Sequence, residues 1–316
     1  MNIDFTKKEY SASQEISLLI CAIGFEERSS YLIKEFSDSS SINNSNTLCF
    51  YFIDNRNETS DQNYNEVLEK GIIPKDINKD NVDELLTEIE NKISEISSRS
   101  ESLKIHVDYS SMPRAWYANL FVKITNKMRV SDSLTFWYSH GDYSEDEKHC
   151  TTAGADDFVI FSGKASIRPR NRSHILGLGY DKTKSDAIKT VVDPSTLIVC
   201  YTYPENNDKI LETIHGVHEQ MLSSAAMSIS LPIENFNFIV KRINEVVLDQ
   251  LDKGDVILIP DGPKPLILAC SIIPELLNKI GVVCFHIKSH NANFRPVNIR
   301  PTGNVSGFVI NRKANE

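Results

Sequence analysis

The sequence predicts an α/β protein built of two tandem Rossmann-like lobes with mostly parallel sheets, related by internal duplication. Three observations predict it. Short, nearly continuous apolar runs alternate with stretches of helical periodicity, the pattern of strands buried on both faces by crossover helices. The length of 316 residues suits two domains of ~100–200 residues each. Landmarks in the first half return in the same order in the second, 146 to 155 residues later.

In the first half, residues 16–23 form an apolar run that stops at Gly24, and Tyr31, Leu32 and Phe36 continue it as a helix. The Ser- and Asn-rich stretch 37–46 is a loop. Residues 47–53 are a second buried strand, and 64–70 are helical. In 82–96, Leu85, Leu86, Ile89, Ile93 and Ile96 share one helical face. A strand at 103–107 runs into Asp108, a helix follows at 115–127, and a strand at 134–138 leads to Ser139-His140. Residues 141–157 are polar and linker-like, and 158–161 make an extra edge strand.

The alternation then restarts. Strands are expected at 174–178, 197–201, 255–259 and 282–287, and helices at 184–192, 209–222, 236–251 and 266–277. A last strand at 307–310 returns to a sheet. The expected lobes are residues 1–165 and 166–316.

Composition removes several classes of function. Apolar residues make up 41% and charged residues 24%, as in an ordinary globular chain. A net charge of −9 argues against an extensive nucleic-acid surface, which needs clustered Lys and Arg. The start of the chain lacks a basic-then-apolar leader, and no apolar run approaches the ~20 residues of a membrane helix, so a cytoplasmic protein with no membrane partner is expected. The six cysteines form no C-x-x-C pair and read as reduced, mostly buried small side chains; Cys150, beside His149 in a polar loop, is the one in a different setting. The eight histidines show neither H-E-x-x-H nor a Cys/His cluster, so no metal site is expected. No G-x-S-x-G elbow and no full G-x-G-x-x-G fingerprint occurs, and no cofactor is expected.

The repeat sets the candidate site. Ala22-Ile23-Gly24-Phe25-Glu26 matches Gly177-Leu178-Gly179-Tyr180-Asp181, a strand ending in Gly, an aromatic and a carboxylate before a helix. Asp108 matches Asp261, each opening a Pro-containing loop with one basic residue, Arg114 or Lys264. His140 matches His286 at the end of the next strand. All of these lie at the carboxyl ends of strands, where open α/β sheets bind ligands.

Gly24 and Gly179 allow a tight turn or close approach, and the helices that follow offer N–H groups to an anion. Arg28, Arg114 and Lys264 supply cations, each of which could instead be a surface ion pair. Asp108 and Asp261 could accept from a ribose hydroxyl, act as a base, or brace their loops. Ser110 lies in the first of these loops. His140 and His286 could move protons. Glu26 could be a catalytic carboxylate or a helix-start acid. Arg168, Arg170 and Arg172 read as a solvated linker, and Arg295 belongs to a basic tail.

The loop Asp261-Gly262-Pro263-Lys264-Pro265 resembles the Gly-Thr-Lys-Pro-type loop of CARF domains, and two such lobes in one chain resemble the SAVED arrangement. The resemblance implies a sensor of a nucleotide-type ligand in prokaryotic antiviral defence, such as a cyclic oligonucleotide. The ligand would be held where the lobes meet by Lys264 and Arg114, and the signal passed to a separate effector chain. This sequence has Pro263 where the family has Thr, and the loop from Ser110 to Arg114 departs further. The alternative is a nucleotide- or nucleoside-processing hydrolase or transferase, with Asp108, His140 and Glu26 catalytic in the first lobe.

Overall fold

A computed structural model describes residues 3–11, 13–38, 42–54, 56–142, 157–167, 171–205, 208–288 and 298–313. They fall into two compact units, each with its own sheet.

The first lobe runs β1 (Ile3–Lys8), β2 (Leu18–Ile23), a 3-10 turn (Glu27–Ser29), α1 (Tyr31–Asp38), β3 (Thr47–Phe52), α2 (Glu58–Glu69), β4 (Lys75–Ile77), α3 (Val82–Ser97), β5 (Lys104–Asp108), α4 (Arg114–Lys127) and β6 (Ser133–Asp142). The second runs β7 (Asp157–Lys164), β8 (Arg172–Gly177), α5 (Lys182–Val192), β9 (Thr196–Tyr203), α6 (Asp208–Ser224), β10 (Met227–Pro232), α7 (Phe236–Leu251), β11 (Asp255–Pro260), α8 (Lys264–Leu277) and β12 (Val282–Lys288). The last strand is β13 (Arg300–Arg312).

The duplication holds for the five parallel strands of each sheet. Five parallel strands stand in the order β6-β5-β2-β3-β4 in one sheet and β12-β11-β8-β9-β10 in the other. In both, the chain starts in the centre, moves to one side, then crosses to the other, which is the Rossmann-like order. Each parallel block carries one antiparallel neighbour on the same flank, β13 against β6 and β7 against β12.

Those two antiparallel strands correct the expected cut at residue 165. β7 follows β6 in the chain but belongs to the second sheet, and β13 follows β12 but belongs to the first. The second lobe is therefore one continuous segment, and the first is interrupted by it between β6 and β13. The reason is edge coverage: β13 lies between β6 and β1 and covers the apolar flank of β6. Phe308 stacks on Phe136 with ring centroids 5.4 Å apart. Gly307 is required where it is, because a Cβ there would stand 2.3 Å from the Trp137 ring.

Residue choice explains the layers. Every residue of β2 is buried, as a central parallel strand requires. Helix α8 is buried from Pro265 to Pro274 without a break, so it reads as apolar all round. The described cysteines Cys21, Cys49, Cys200, Cys270 and Cys284 are all buried and unbridged, and burial pushes the thiols of Cys21 and Cys284 up, away from thiolate chemistry. Cys150 lies outside the described residues.

Candidate functional site

At the carboxyl edge of the first sheet, most of the singled-out residues join one hydrogen-bonded chain. Arg28 is only 2% exposed. Its Nε donates to Glu26 Oε2 at 2.5 Å, and its Nη1 donates to Tyr138 Oη at 3.1 Å and to the Ser139 carbonyl at 3.3 Å. The Ser139 N–H donates to Ser110 Oγ at 2.8 Å. Asp108 Oδ1 accepts from the Ser110 N–H at 3.0 Å and from its hydroxyl at 2.5 Å. Glu26, Arg28, Ser110 and Asp108 thus tie the β2 and β5 loops to β6. For Asp108 this is the loop-bracing arrangement, and for Arg28 and Glu26 a buried ion pair.

Gly24 is not needed for close approach. A Cβ there would meet only the Phe52 ring, at 3.6 Å. The Gly24 carbonyl accepts from Asn63 Nδ2 at 3.0 Å and from Ser29 Oγ at 3.3 Å.

His140 Nε2 and Ser306 Oγ are 2.9 Å apart, and burial and the nearby Arg28 charge push the imidazole down to about 4. A second histidine, His106, lies deeper. Trp137 Nε1–H donates to its Nδ1 at 2.9 Å, so the ring proton sits on Nε2. Burial, then the positive charge of Lys8, pushes His106 down to about 4.

Both rings are neutral in the folded lobe and would take a proton in the unfolded chain below its ordinary value of about 6.5. The unfolded state then binds more protons between pH 6.5 and 4, so stability falls as pH falls through that window. For His106 the loss is on the order of 3 kcal/mol. Denaturation of the wild type and of His106→Gln at pH 7 and pH 4.5 checks this: the variant should lose much of the difference.

The second sheet's edge is closed differently. The Asp261 N–H donates to the Gly177 carbonyl at 2.9 Å, which carries the β8–β11 contact past the strand ends. A Cβ on Gly179 would stand 2.4 Å from the Asp261 carbonyl oxygen, and one on Gly262 2.9 Å from that of Leu178. Here the expected close approach is real, but it is made by the neighbouring loop. Lys184, which sequence reasoning passed over inside a helix, puts Nζ 2.5 Å from Asp261 Oδ1; the two side chains are 8% and 5% exposed.

The strand register also separates two of the matched pairs. Ile20 faces Val107, and its counterpart Ile175 faces Leu258. Asp108 follows Val107 by one residue and Asp261 follows Leu258 by three, so the two carboxylates are offset by two positions. Val107 faces Phe136 and Leu258 faces Cys284, which puts His286 in register with Tyr138 and not with His140. His286 packs against Phe161, ring centroids 5.8 Å apart.

Arg114 and Lys264 keep their equivalence. Each is the first residue of its helix, half-buried, after an N-cap proline with nearly the same backbone angles: φ −58°, ψ 150° at Pro113 and φ −59°, ψ 154° at Pro263. Helices α2, α3, α5 and α7 have Asn or Asp side chains capping their first turns. Helices α4 and α8 have no side-chain cap and no acid in the first turn.

Arg172 is exposed at the start of β8, while Arg168, Arg170 and Arg295 lie outside the described residues. An open groove of about 680 Å³, lined by Asp186, Lys189, Asp193, Gln220 and Ser224, lies at the amino end of β9, the edge opposite the loops above. Among the described residues, no group of three or more His, Cys, Asp or Glu could hold a metal, and no helix is long and apolar enough to cross a membrane.

No family model matches the chain, and no curated protein matches it. Among solved structures it is similar to a ketoreductase domain from the bacillaene assembly line, at 8% identity over 87% of this chain and 68% of that one, with a TM-score of 0.22. A likeness this weak bears on neither substrate nor activity.

Proposed function

We propose that the chain is a binding protein for nucleotide-type ligands, with a phosphate site at the start of α4 in the first lobe and another at the start of α8 in the second, each lobe taken by itself. The observation that carries this reading is the repeated Pro-then-cation helix start at Pro113-Arg114 and Pro263-Lys264. A cation at the first position of a helix opposes the helix dipole, and first-turn N–H groups without a side-chain cap favour an anion. Finding both conditions twice, at equivalent places beside the chain reversals of two Rossmann-like sheets, supports a phosphate-bearing ligand.

The candidate catalytic groups of the first lobe each have a hydrogen-bond partner within the lobe. Asp108 is engaged by Ser110, Glu26 by Arg28, and His140 with Ser306. The resemblance to CARF and SAVED proteins extends this to a sensor of oligonucleotide messengers in antiviral defence that acts through a separate effector chain.

Calorimetric titration with ADP, ATP, linear oligoadenylates and cyclic oligoadenylates tests the proposal. At least one should bind, and Arg114→Ala and Lys264→Ala should each weaken it about tenfold or more, as for a charged hydrogen bond. No binding by the wild type, or binding indifferent to both substitutions, would sink it.

A further inference from the structure

Asn63 and His218 stand 155 residues apart, as do Gly24 and Gly179, and as do Ser30 and Ser185. The three pairs occupy the same places in the two lobes, and all four side chains are at least 97% buried. In the first lobe they make a relay: Ser30 Oγ donates to Asn63 Oδ1 at 2.9 Å, and Asn63 Nδ2 donates to the Gly24 carbonyl at 3.0 Å. In the second lobe His218 Nε2 lies 2.8 Å from the Gly179 carbonyl, at the residue where α6 leaves helical geometry (φ −112°, ψ 18°).

A carbonyl can only accept, so Nε2 carries the ring proton and donates. With the ring proton on Nε2 alone, Nδ1 is an acceptor. His218 Nδ1 and Ser185 Oγ are both buried without a hydrogen-bond partner, although a buried polar atom is costly to leave unpaired. Their first-lobe equivalents are bonded to each other.

We propose that His218 is a positioning residue for the Lys264 corner, holding the Gly179 carbonyl through Nε2–H. Each second-lobe atom has the polarity of its counterpart: Nε2–H stands for the Asn63 amide N–H, and Nδ1 for its Oδ1. The carbonyl held by His218 belongs to the segment packed on Asp261 and Gly262, which leads through Pro263 into Lys264. His218 thus holds the Gly179 turn against the Asp261–Gly262 loop that leads into α8. The functional consequence rests on the ligand reading above; the positioning itself does not.

The test therefore starts without ligand. Nitrogen-15 correlation spectra of the whole chain should show His218 as the Nε2–H tautomer. His218→Asn should keep the backbone amides of residues 178–181 as protected from hydrogen exchange as in the wild type, because Asn is the first lobe's own solution. His218→Leu should speed their exchange about tenfold, the fold-change of one buried hydrogen bond, with the amides of β9 and α7 unmoved.

An Nδ1–H tautomer, a His218→Asn variant no better than His218→Leu, or a His218→Leu variant with unchanged loop exchange would overturn the proposal. ADP is then added to the same variants. Failure of the wild type to bind it or any nucleotide counts against the ligand reading alone.

Discussion

A chain ended at residue 288 loses β13, and it is expected to keep a folded second lobe and an unfolded first one. β13 is paired on both sides, with β6 from Val305–Ser139 to Asn311–Ser133 and with β1 from Ile3–Arg312 to Lys8–Gly307. Removing it orphans β1 and strips the flank of β6. It also takes away Phe308 and Ile310, which are 2% and 0% exposed. At ~2–3 kcal/mol for each large buried side chain, together with the lost ladder and an exposed Trp137, the deficit reaches the ~5–15 kcal/mol that holds an ordinary domain together.

The second lobe has no such debt. Its six strands and four helices all lie between Asp157 and Lys288, so residues 157–288 are expected to fold as a separate fragment. Proton–nitrogen spectra of fragments 1–288 and 157–288 check both statements. They should share one set of dispersed peaks, with the remaining peaks of the longer fragment collapsed. Dispersed first-lobe peaks in 1–288 would show that β13 is dispensable.

The parallel core was legible in the sequence because central strands carry an unmistakable signal. The run ending at Gly24 is buried at every position of β2, and the restart after residue 170 gave the second sheet. Several outer strands carry almost none. β1 alternates half-buried and exposed residues within Ile-Asp-Phe-Thr-Lys-Lys, β4 has three residues, and β10 is exposed at every other position or nearly so. Which sheet an edge strand joins is a long-range choice, so β7 and β13 could be seen as strands but not assigned.

The positions of the matched loops were legible. They do lie at the carboxyl ends of strands, and Pro113-Arg114 and Pro263-Lys264 open equivalent helices. The charged groups near them were open to a ligand-facing or an internal role, and the structure pairs Arg28 with Glu26 and Asp261 with Lys184. Asn63 and His218 were missed because neither stands at a strand end. The spacing of 155 that joined Gly24 to Gly179 also joins Ser30 to Ser185 and Asn63 to His218, and following it into the helices would have found them.

That same spacing joins Ser29 to Lys184, and Lys184→Met is expected to cost the second lobe about 3–5 kcal/mol, since it leaves the Asp261 carboxylate buried without its ammonium. Asp261 is 5% exposed and cannot readily recruit water in its place. Replacing both partners, Lys184→Met with Asp261→Leu, should recover most of the loss, because no charge is then left to solvate. Denaturation followed by probes in the second lobe gives both values, and a single variant costing under ~1 kcal/mol would put the pair in the class of exposed ion pairs. The contrast with the first lobe gives the result its meaning. There the equivalent residue is Ser29, whose hydroxyl donates to the Gly24 carbonyl, and no atom of the β5 loop comes within 4 Å of where a Gly24 Cβ would be. One copy of the duplicated crevice is filled by its own lysine and aspartate and sealed by Gly179 on Asp261. In the other, no backbone of the β5 loop closes on Gly24, and the space beside it is taken by the buried Arg28, Ser110 and Asp108.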